Sequence, residues 1–355
     1  MTKRDNLLSL FRRTGYREAP VSFSLCPHLQ QLYREKTGLD QPCDDYFGFP
    51  WRPAPGLRAR QADDDVCRSW YPFPLKPGVT FDSFGVAHEP GSAAAMHMTR
   101  MRHPLAGVDS LERMKEYPLP HFEEPGDNSM AEAVAAIHAA GFASIGHMAC
   151  SIWETAWYMR SMEDLMADMM DDDPKAAWLL DQITTRSCQR AAAFARSGAD
   201  ILALGDDIGM QHSIMMGLPF YRTWLKPRLT QVIQAARGIK PDMLVMYHSC
   251  GYIEPFIPDL IEAGVDILDP VQPECMDFGR LHDLYGAQLS FHGTIGTQTT
   301  MPFGAPDDVR SAVFRNLDIA GPKGGLMCAP THLLEPEVPW DNIMAYVDAC
   351  RDYTR

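Results

Sequence analysis

Residues 243–272 read MLVMYHSCGYIEPFIPDLIEAGVDILDPVQ, and the fold turns on them. Met243–Tyr247 is a short unbroken apolar run, without the alternation of a half-exposed strand. That is the pattern of a parallel strand buried on both faces. It ends in a polar set, His248, Ser249 and Cys250, before a helix starting near Tyr252. A second run of the same kind, Val265–Leu268, also ends in polar residues, Asp269 and Gln272. Strand, helix and strand in so short a span make a βαβ unit, whose crossover is right-handed.

The unit recurs on both sides. Upstream, Ser129–Ala140 reads as a helix closed by Gly141, Phe142–His147 as a strand and Trp153–Met170 as one helix. Asp173-Pro174 supplies an N-cap and a proline at the first helical position. The helix it opens carries Leu180, Ile183, Ala191 and Phe194 on one face and ends near Gly198. The strand Ile201–Leu204 and a helix over Tyr221–Arg237 lead into the quoted stretch. Strands at Leu289–Phe291 and Gly325–Met327 follow it. Polar residues cluster just after these strands: Asp206, Asp207 and Gln211, then Asp269 and Gln272, then His292. No GxGxxG turn opens a helix after a strand. A (β/α)8 TIM barrel gathers post-strand residues into a ring at one face, so the barrel is expected over a doubly wound α/β sheet.

Composition changes near residue 128. Before it the chain is rich in proline, aromatics and turn residues, as in DDYFGFPWRPAPG (44–56) and SWYPFPLKPG (69–78). The reading is an irregular N-terminal elaboration over 1–128 that includes the first strand and β-hairpins, with strand-like pieces at Val79–Val86 and His97–Arg102. It is expected to pack on the strand–helix repeats of 129–355, the whole chain forming one barrel domain. The 355 residues carry 32 Lys+Arg against 46 Asp+Glu, a net charge of −14. Such an acidic chain is repelled by phosphates, so neither nucleic acid nor an anionic membrane is expected as a partner. No stretch approaches the roughly 18 apolar residues needed to cross a bilayer. The first twenty residues lack the apolar run of a signal peptide. Nine cysteines, an odd number spread along the chain, fit a reducing compartment. A cytoplasmic enzyme is the expectation, with Cys26, Cys43, Cys67, Cys188 and Cys350 chemically inert.

The chemistry centres on His248 and Cys250. Residues two apart at a strand end face the same side, and an imidazole with a thiolate suits zinc. A third ligand must come from another strand end, and GGLMCAPTHLLEP (324–336) offers two. His332 lies nearer the mouth and is preferred; Cys328 is the alternative, since a bend at Pro330 would bring it closer. Glu154 reads equally as a mouth residue or a helix-start residue.

The ordered blocks GDDIGMQ (205–211), PRLTQVIQAARGIKPD (227–242), YHSCGYIEPFIPDLIEAGVDILDPVQP (247–273), LSFHGTIGTQTTMPFG (289–304) and GPKGGLMCAPTHLLEPEVPWDN (321–342) resemble the uroporphyrinogen decarboxylase superfamily. Within it they look like the cobalamin-dependent methyltransferase branch. HPLAGVDSLERMKEYPLP (103–120) and ETAWYMRSMEDLMADM (154–169) extend the resemblance upstream. Decarboxylases of the superfamily carry an RQAGRY-like motif near the N-terminus. The matching APVSFSLCPHL (19–29) has no arginine, which weighs against decarboxylation. In the methyltransferase branch HxCG supplies two zinc ligands. Coenzyme M members add a cysteine in an APGC-like segment, where this chain has APTH and therefore His332.

The resemblance thus implies a TIM barrel and a zinc-dependent methyltransferase. It would move methyl between a small methylated substrate and cobalamin, the corrinoid being free or carried by a partner protein. A methoxylated aromatic undergoing O-demethylation is the first expectation for the substrate. A decarboxylase and a methylcobalamin:thiol methyltransferase are the alternatives. Asp206, Asp207 and His292 are then expected as acid–base groups, and Gln211, Tyr247 and Gln272 as substrate contacts. A homodimer is left open.

Overall fold

The computed structural model describes residues 1–91 and 98–353. Its centre is one parallel sheet of seven strands that follow each other in chain order. They are β1 (Trp51–Pro53), β2 (Ala143–Met148), β3 (Ile201–Gly205), β4 (Leu244–His248), β5 (Ile267–Asp269), β6 (Ser290–His292) and β7 (Leu326–Met327). The sheet curls with helices outside it, giving the TIM-barrel fold. Between its two ends runs the extended segment 19–25. Leu25 bridges in parallel to Leu334, and Phe23 packs edge-on against Phe49 at 5.0 Å.

Alternate strand residues point inward. Ala143, Ile145, Ile201, Leu244, Met246, Ile267 and Met327 form an interior cluster with Leu7, Leu8, Leu10 and Phe11. The latter four belong to the helix Lys3–Phe11, which therefore plugs the end of the barrel where the strands begin. Arg4 pins it there. Its Nε and Nη2 reach the two carboxylate oxygens of Asp200 at 2.9 and 2.7 Å. Asp200 is 3% exposed and also takes the Ser144 N–H at 3.0 Å and faces His138 Nε2 at 2.9 Å. Removing this carboxylate strands several donors at once. Asp200→Ala is expected to lower unfolding stability by about 2–3 kcal/mol, read as a lower urea midpoint with an unchanged slope.

The elements depart from the sequence expectation in three places. Trp153–Met170 is two helices, Trp153–Arg160 and Met162–Met170, because Ser161 adopts φ 77° and caps the second through the Asp164 N–H. Tyr221–Arg237 is likewise Leu218–Trp224 and Lys226–Arg237. Pro227 has no N–H, and its ring would crowd the carbonyl four residues back in a continuous helix. Val79–Val86 is only the first strand and turn of a hairpin, in which Thr80–Phe81 pairs with the strand Ala87–Glu89. Its turn forms because Asp82 Oδ1 accepts the N–H groups of Phe84 and Val86 at 2.9 and 3.0 Å, and Gly85 adopts φ 76°. Arg100–Arg102 adds a third strand; His97, the start of the expected strand there, lies outside the described residues. A second small sheet pairs Arg58–Arg60 with His121–Glu123. No helix among the described residues is long and apolar enough to cross a membrane.

Candidate metal centre and active-site cavity

Where the strands end, the barrel opens into a cavity of about 730 Å3. Inward-facing strand positions line it: Trp51 at the start of β1, His147 near the end of β2, and His248, Asp269 and His292 at the ends of β4, β5 and β6. His248 continues the inward row of Leu244 and Met246, so β4 delivers its imidazole to the mouth. Gly205 leaves room for it, since a Cβ there would meet His248 Cβ at 2.8 Å. The following turn returns Cys250 to the same side. Gly251 holds that turn with φ 85°, and its N–H donates to Gln272 Oε1 at 2.6 Å.

His248 Nε2 lies 3.5 Å from Cys250 Sγ and 3.9 Å from Asp207 Oδ1. Among the described residues, Asp207, His248 and Cys250 form the one group of donors close enough to share a metal ion. A tetrahedral zinc with ordinary bond lengths places its N and S ligands about 3.6 Å apart and N and O about 3.4 Å apart. The thiol matches that spacing, and the carboxylate needs to close by only a fraction of an ångström. Asp207 is drawn in because its Oδ1 also accepts the Cys250 N–H at 2.7 Å.

Behind the trio stands Asp269, which sequence reasoning noted at a strand end without a role. Oδ2 receives His248 Nδ1 at 2.9 Å, and Oδ1 receives His292 Nδ1 at 2.6 Å. Burial alone would raise the Asp269 pKa, but His292 and His248 outweigh it and hold the carboxyl well below its ordinary range. Being ionised, it is acceptor only, so both Nδ1 atoms carry protons and His248 Nε2 is left for a metal. Burial disfavours a charged His248, yet Asp269 and the neighbouring Cys250 outweigh it and raise its pKa well above the usual value in the metal-free protein.

Two consequences follow with opposite signs. Without metal, the Asp269–His248 pairing stabilises the fold most between about pH 4 and 6.5. Asp269's share is lost as pH falls through its depressed pKa, and that of His248 as pH rises through its raised one. Zinc, by contrast, competes with the His248 proton, so its affinity is expected to climb with pH, up to about tenfold per unit for each proton released. Melting curves of metal-free and zinc-loaded protein from about pH 5 to 8 should show a zinc-induced shift that widens with pH.

The other expected residues fall elsewhere. His332 lines the cavity but lies outside the donor trio. Its strand is three positions round the sheet from β4, and the Thr331 and Leu334 N–H groups tie the segment to the Ile295 and Ser24 carbonyls. Cys328 is 1% exposed and packs beside Thr294 Oγ1 at 3.5 Å, its thiol pushed up to about 12 by burial. Asp206 is 4% exposed and turned away from the cavity. Its carboxylate accepts the Ile152 and Glu154 N–H groups at 3.1 and 2.9 Å, capping a helix start instead of standing free as an acid or base. Tyr247 points outward into the core beneath the helices, its hydroxyl donating to the Asp206 carbonyl at 3.3 Å. Gln272 is occupied with Gly251, and Gln211 is an exposed partner of Gln298 at 2.9 Å. Glu154 packs behind the site, accepting the Asp207 N–H at 3.1 Å and the Tyr158 hydroxyl at 2.7 Å. Burial and the Asp207 charge raise its pKa.

Sequence reasoning missed His147. It follows Ala143 and Ile145 at the strand period of two, which is the signal for an inward position. Partial loss of hydration within the barrel mouth lowers its pKa, against the pull of Asp269.

A TIM barrel with an imidazole, thiol and carboxylate cluster at the mouth defines an enzyme class that works on small molecules through a strand-end site. More narrowly, residues 81–353 match the uroporphyrinogen decarboxylase (URO-D) family, and the chain belongs to it. No curated protein matches the sequence. Among solved structures, a methyltransferase from Methanosarcina mazei shares the fold with a TM-score of 0.67 and 17% identity, covering 99% of this chain and 98% of that one. A B12-independent methionine synthase from Shewanella sp. W3-18-1 is more distant, with a TM-score of 0.42, 11% identity and coverage of 65% and 66%.

Proposed function

We propose that this protein is a zinc-dependent methyltransferase that takes methyl from a small donor, a methoxylated aromatic in the first instance, and passes it to a corrinoid brought by a partner protein. The observation that carries this reading is the donor trio, with Nε2 and Sγ 3.5 Å apart at the edge of an aromatic-walled cavity. The full-length likeness in fold to a methyltransferase supports it.

His248, Cys250 and Asp207 would hold the ion, and His332 lines the same cavity. Bound zinc supplies a Lewis acid for the donor's heteroatom and the negative charge that grows there as the methyl leaves. Asp269 fixes the His248 ring and its tautomer. His292, which lines the cavity and whose Nε2 has no hydrogen-bond partner, would serve as an acid–base group for the donor's polar end. Phe23, Phe49 and Trp51 provide an apolar wall that keeps water from the reacting groups.

The test is metal analysis of purified protein joined to a spectral assay. Zinc-loaded protein, cob(I)alamin and a panel of methoxylated aromatics, methylamines and thioethers are incubated together. Stoichiometric zinc and a methylated corrinoid formed from a methoxylated aromatic are expected. Protein that neither retains zinc nor methylates the corrinoid from any donor defeats the reading.

A further inference from the structure

The charge pattern of the cavity narrows the donor, an inference that rests on the methyl-transfer reading above. Among the described residues, the lining contains no lysine and no arginine. Its carboxylates are Asp44 and Asp269. Asp44 faces Arg52 at 4.0 Å, and Asp269 is shared by the two imidazoles. A zinc ion bound by Cys250 thiolate and Asp207 carboxylate would be electrically balanced by its own ligands. An incoming carboxylate or sulfonate would therefore give up its hydration, meet the Asp269 charge, and find no lysine or arginine to pair with.

One polar atom nevertheless awaits a partner. His292 Nε2 is buried without a hydrogen bond, although the opposite ring nitrogen is fixed by Asp269 at 2.6 Å. Buried polar atoms in native proteins are nearly always satisfied, so a ligand group is the natural complement. A phenolic hydroxyl serves this nitrogen in either protonation state, because it both donates and accepts, whereas an ether oxygen only accepts. The Trp51 ring centre lies 5.4 Å from that of His292, and Phe23 and Phe49 continue the apolar wall. A cavity of about 730 Å3 has ample room for a single ring.

We propose that the cavity takes an uncharged methoxylated phenol, its hydroxyl on His292 Nε2 and its ring beside Trp51, and turns away donors bearing a carboxylate or sulfonate.

Calorimetric binding to zinc-loaded protein tests this with 2-methoxyphenol, methoxybenzene and 4-hydroxy-3-methoxybenzoate. The phenol is expected to bind roughly tenfold tighter than methoxybenzene and roughly a hundredfold tighter than the benzoate. His292→Phe keeps an aromatic ring beside Trp51. It should erase the preference for the hydroxyl, bringing the phenol and methoxybenzene to within about twofold of each other. Ser24→Arg sets a guanidinium on the exposed part of the lining and should raise benzoate affinity at least about tenfold. This second variant keeps the test open should the first fail to fold. Benzoate binding as tightly as the phenol, a hydroxyl preference that survives His292→Phe, or no binding by any of the three overturns the proposal. The two readings fail differently. Binding in the expected order with no methylated corrinoid sinks methyl transfer and keeps the site. Methylation of the corrinoid from the benzoate sinks the donor assignment and keeps methyl transfer.

Discussion

Cys250→Ala is expected to reduce zinc affinity by more than about a hundredfold and to abolish methyl transfer while leaving the fold intact. The thiol is the only sulfur in the trio, and its neighbour His248 Nε2, at 3.5 Å, belongs to a ring that Asp269 anchors through Nδ1. Asp207 holds the turn through the Cys250 backbone N–H, a bond the variant keeps. Circular dichroism should therefore match the parent, and a chelator competition assay should show the lost zinc. Cys275→Ala is the control. That thiol sits 3.8 Å from Gln272 Oε1 and outside the trio, so zinc should stay bound. The same assay ranks the third ligand. Asp207→Asn keeps an acceptor for the Cys250 N–H and drops only the charge, and is expected to weaken zinc more than His332→Ala. The opposite order would mean that the imidazole at 332 crosses the cavity to the ion.

Much of this geometry was legible because strands carry a strict period. β4 begins one residue after the expected Met243, and β3 begins at the expected Ile201. The inward row Leu244, Met246, His248 places His248 at the mouth and sends Tyr247 outward. Counting from Ile201 does the same for the adjacent carboxylates, pointing Asp207 inward and leaving Asp206 to the helix start it caps. Treating both as equivalent ignored that parity. What the sequence does not display is closure. Asp269 lies a whole strand–helix unit from both His248 and His292, and only the parallel pairing of β5 with β4 on one side and β6 on the other brings the two imidazoles to one carboxylate. The plug was hidden for a different reason. Asn6, Leu7, Leu8, Leu10 and Phe11 are buried, so the helix is covered around most of its circumference and shows no apolar stripe to read. At 19–29, where decarboxylases of the superfamily would carry arginine, Ser22, Phe23, Ser24 and Leu25 line the cavity. The missing arginine is thus a missing charge in the site itself.

Asp269→Asn should weaken zinc binding by about 10–100-fold and slow turnover further still. The native carboxylate accepts from two Nδ1–H groups at once. An asparagine of the same size offers one acceptor and one amino group. Whichever imidazole meets the amino group must present a bare Nδ1 and carry its proton on Nε2 instead. If that ring is His248, the nitrogen facing Cys250 and Asp207 is protonated and cannot ligate. If it is His292, the nitrogen facing the cavity changes from acceptor to donor. Nitrogen chemical shifts of the two imidazoles separate these cases from simple damage to the fold, because a tautomer change moves them by tens of parts per million in the still-folded protein. Unchanged shifts together with native zinc affinity would show that the shared carboxylate sets neither ring, and the coupling between metal centre and donor pocket would have to be abandoned.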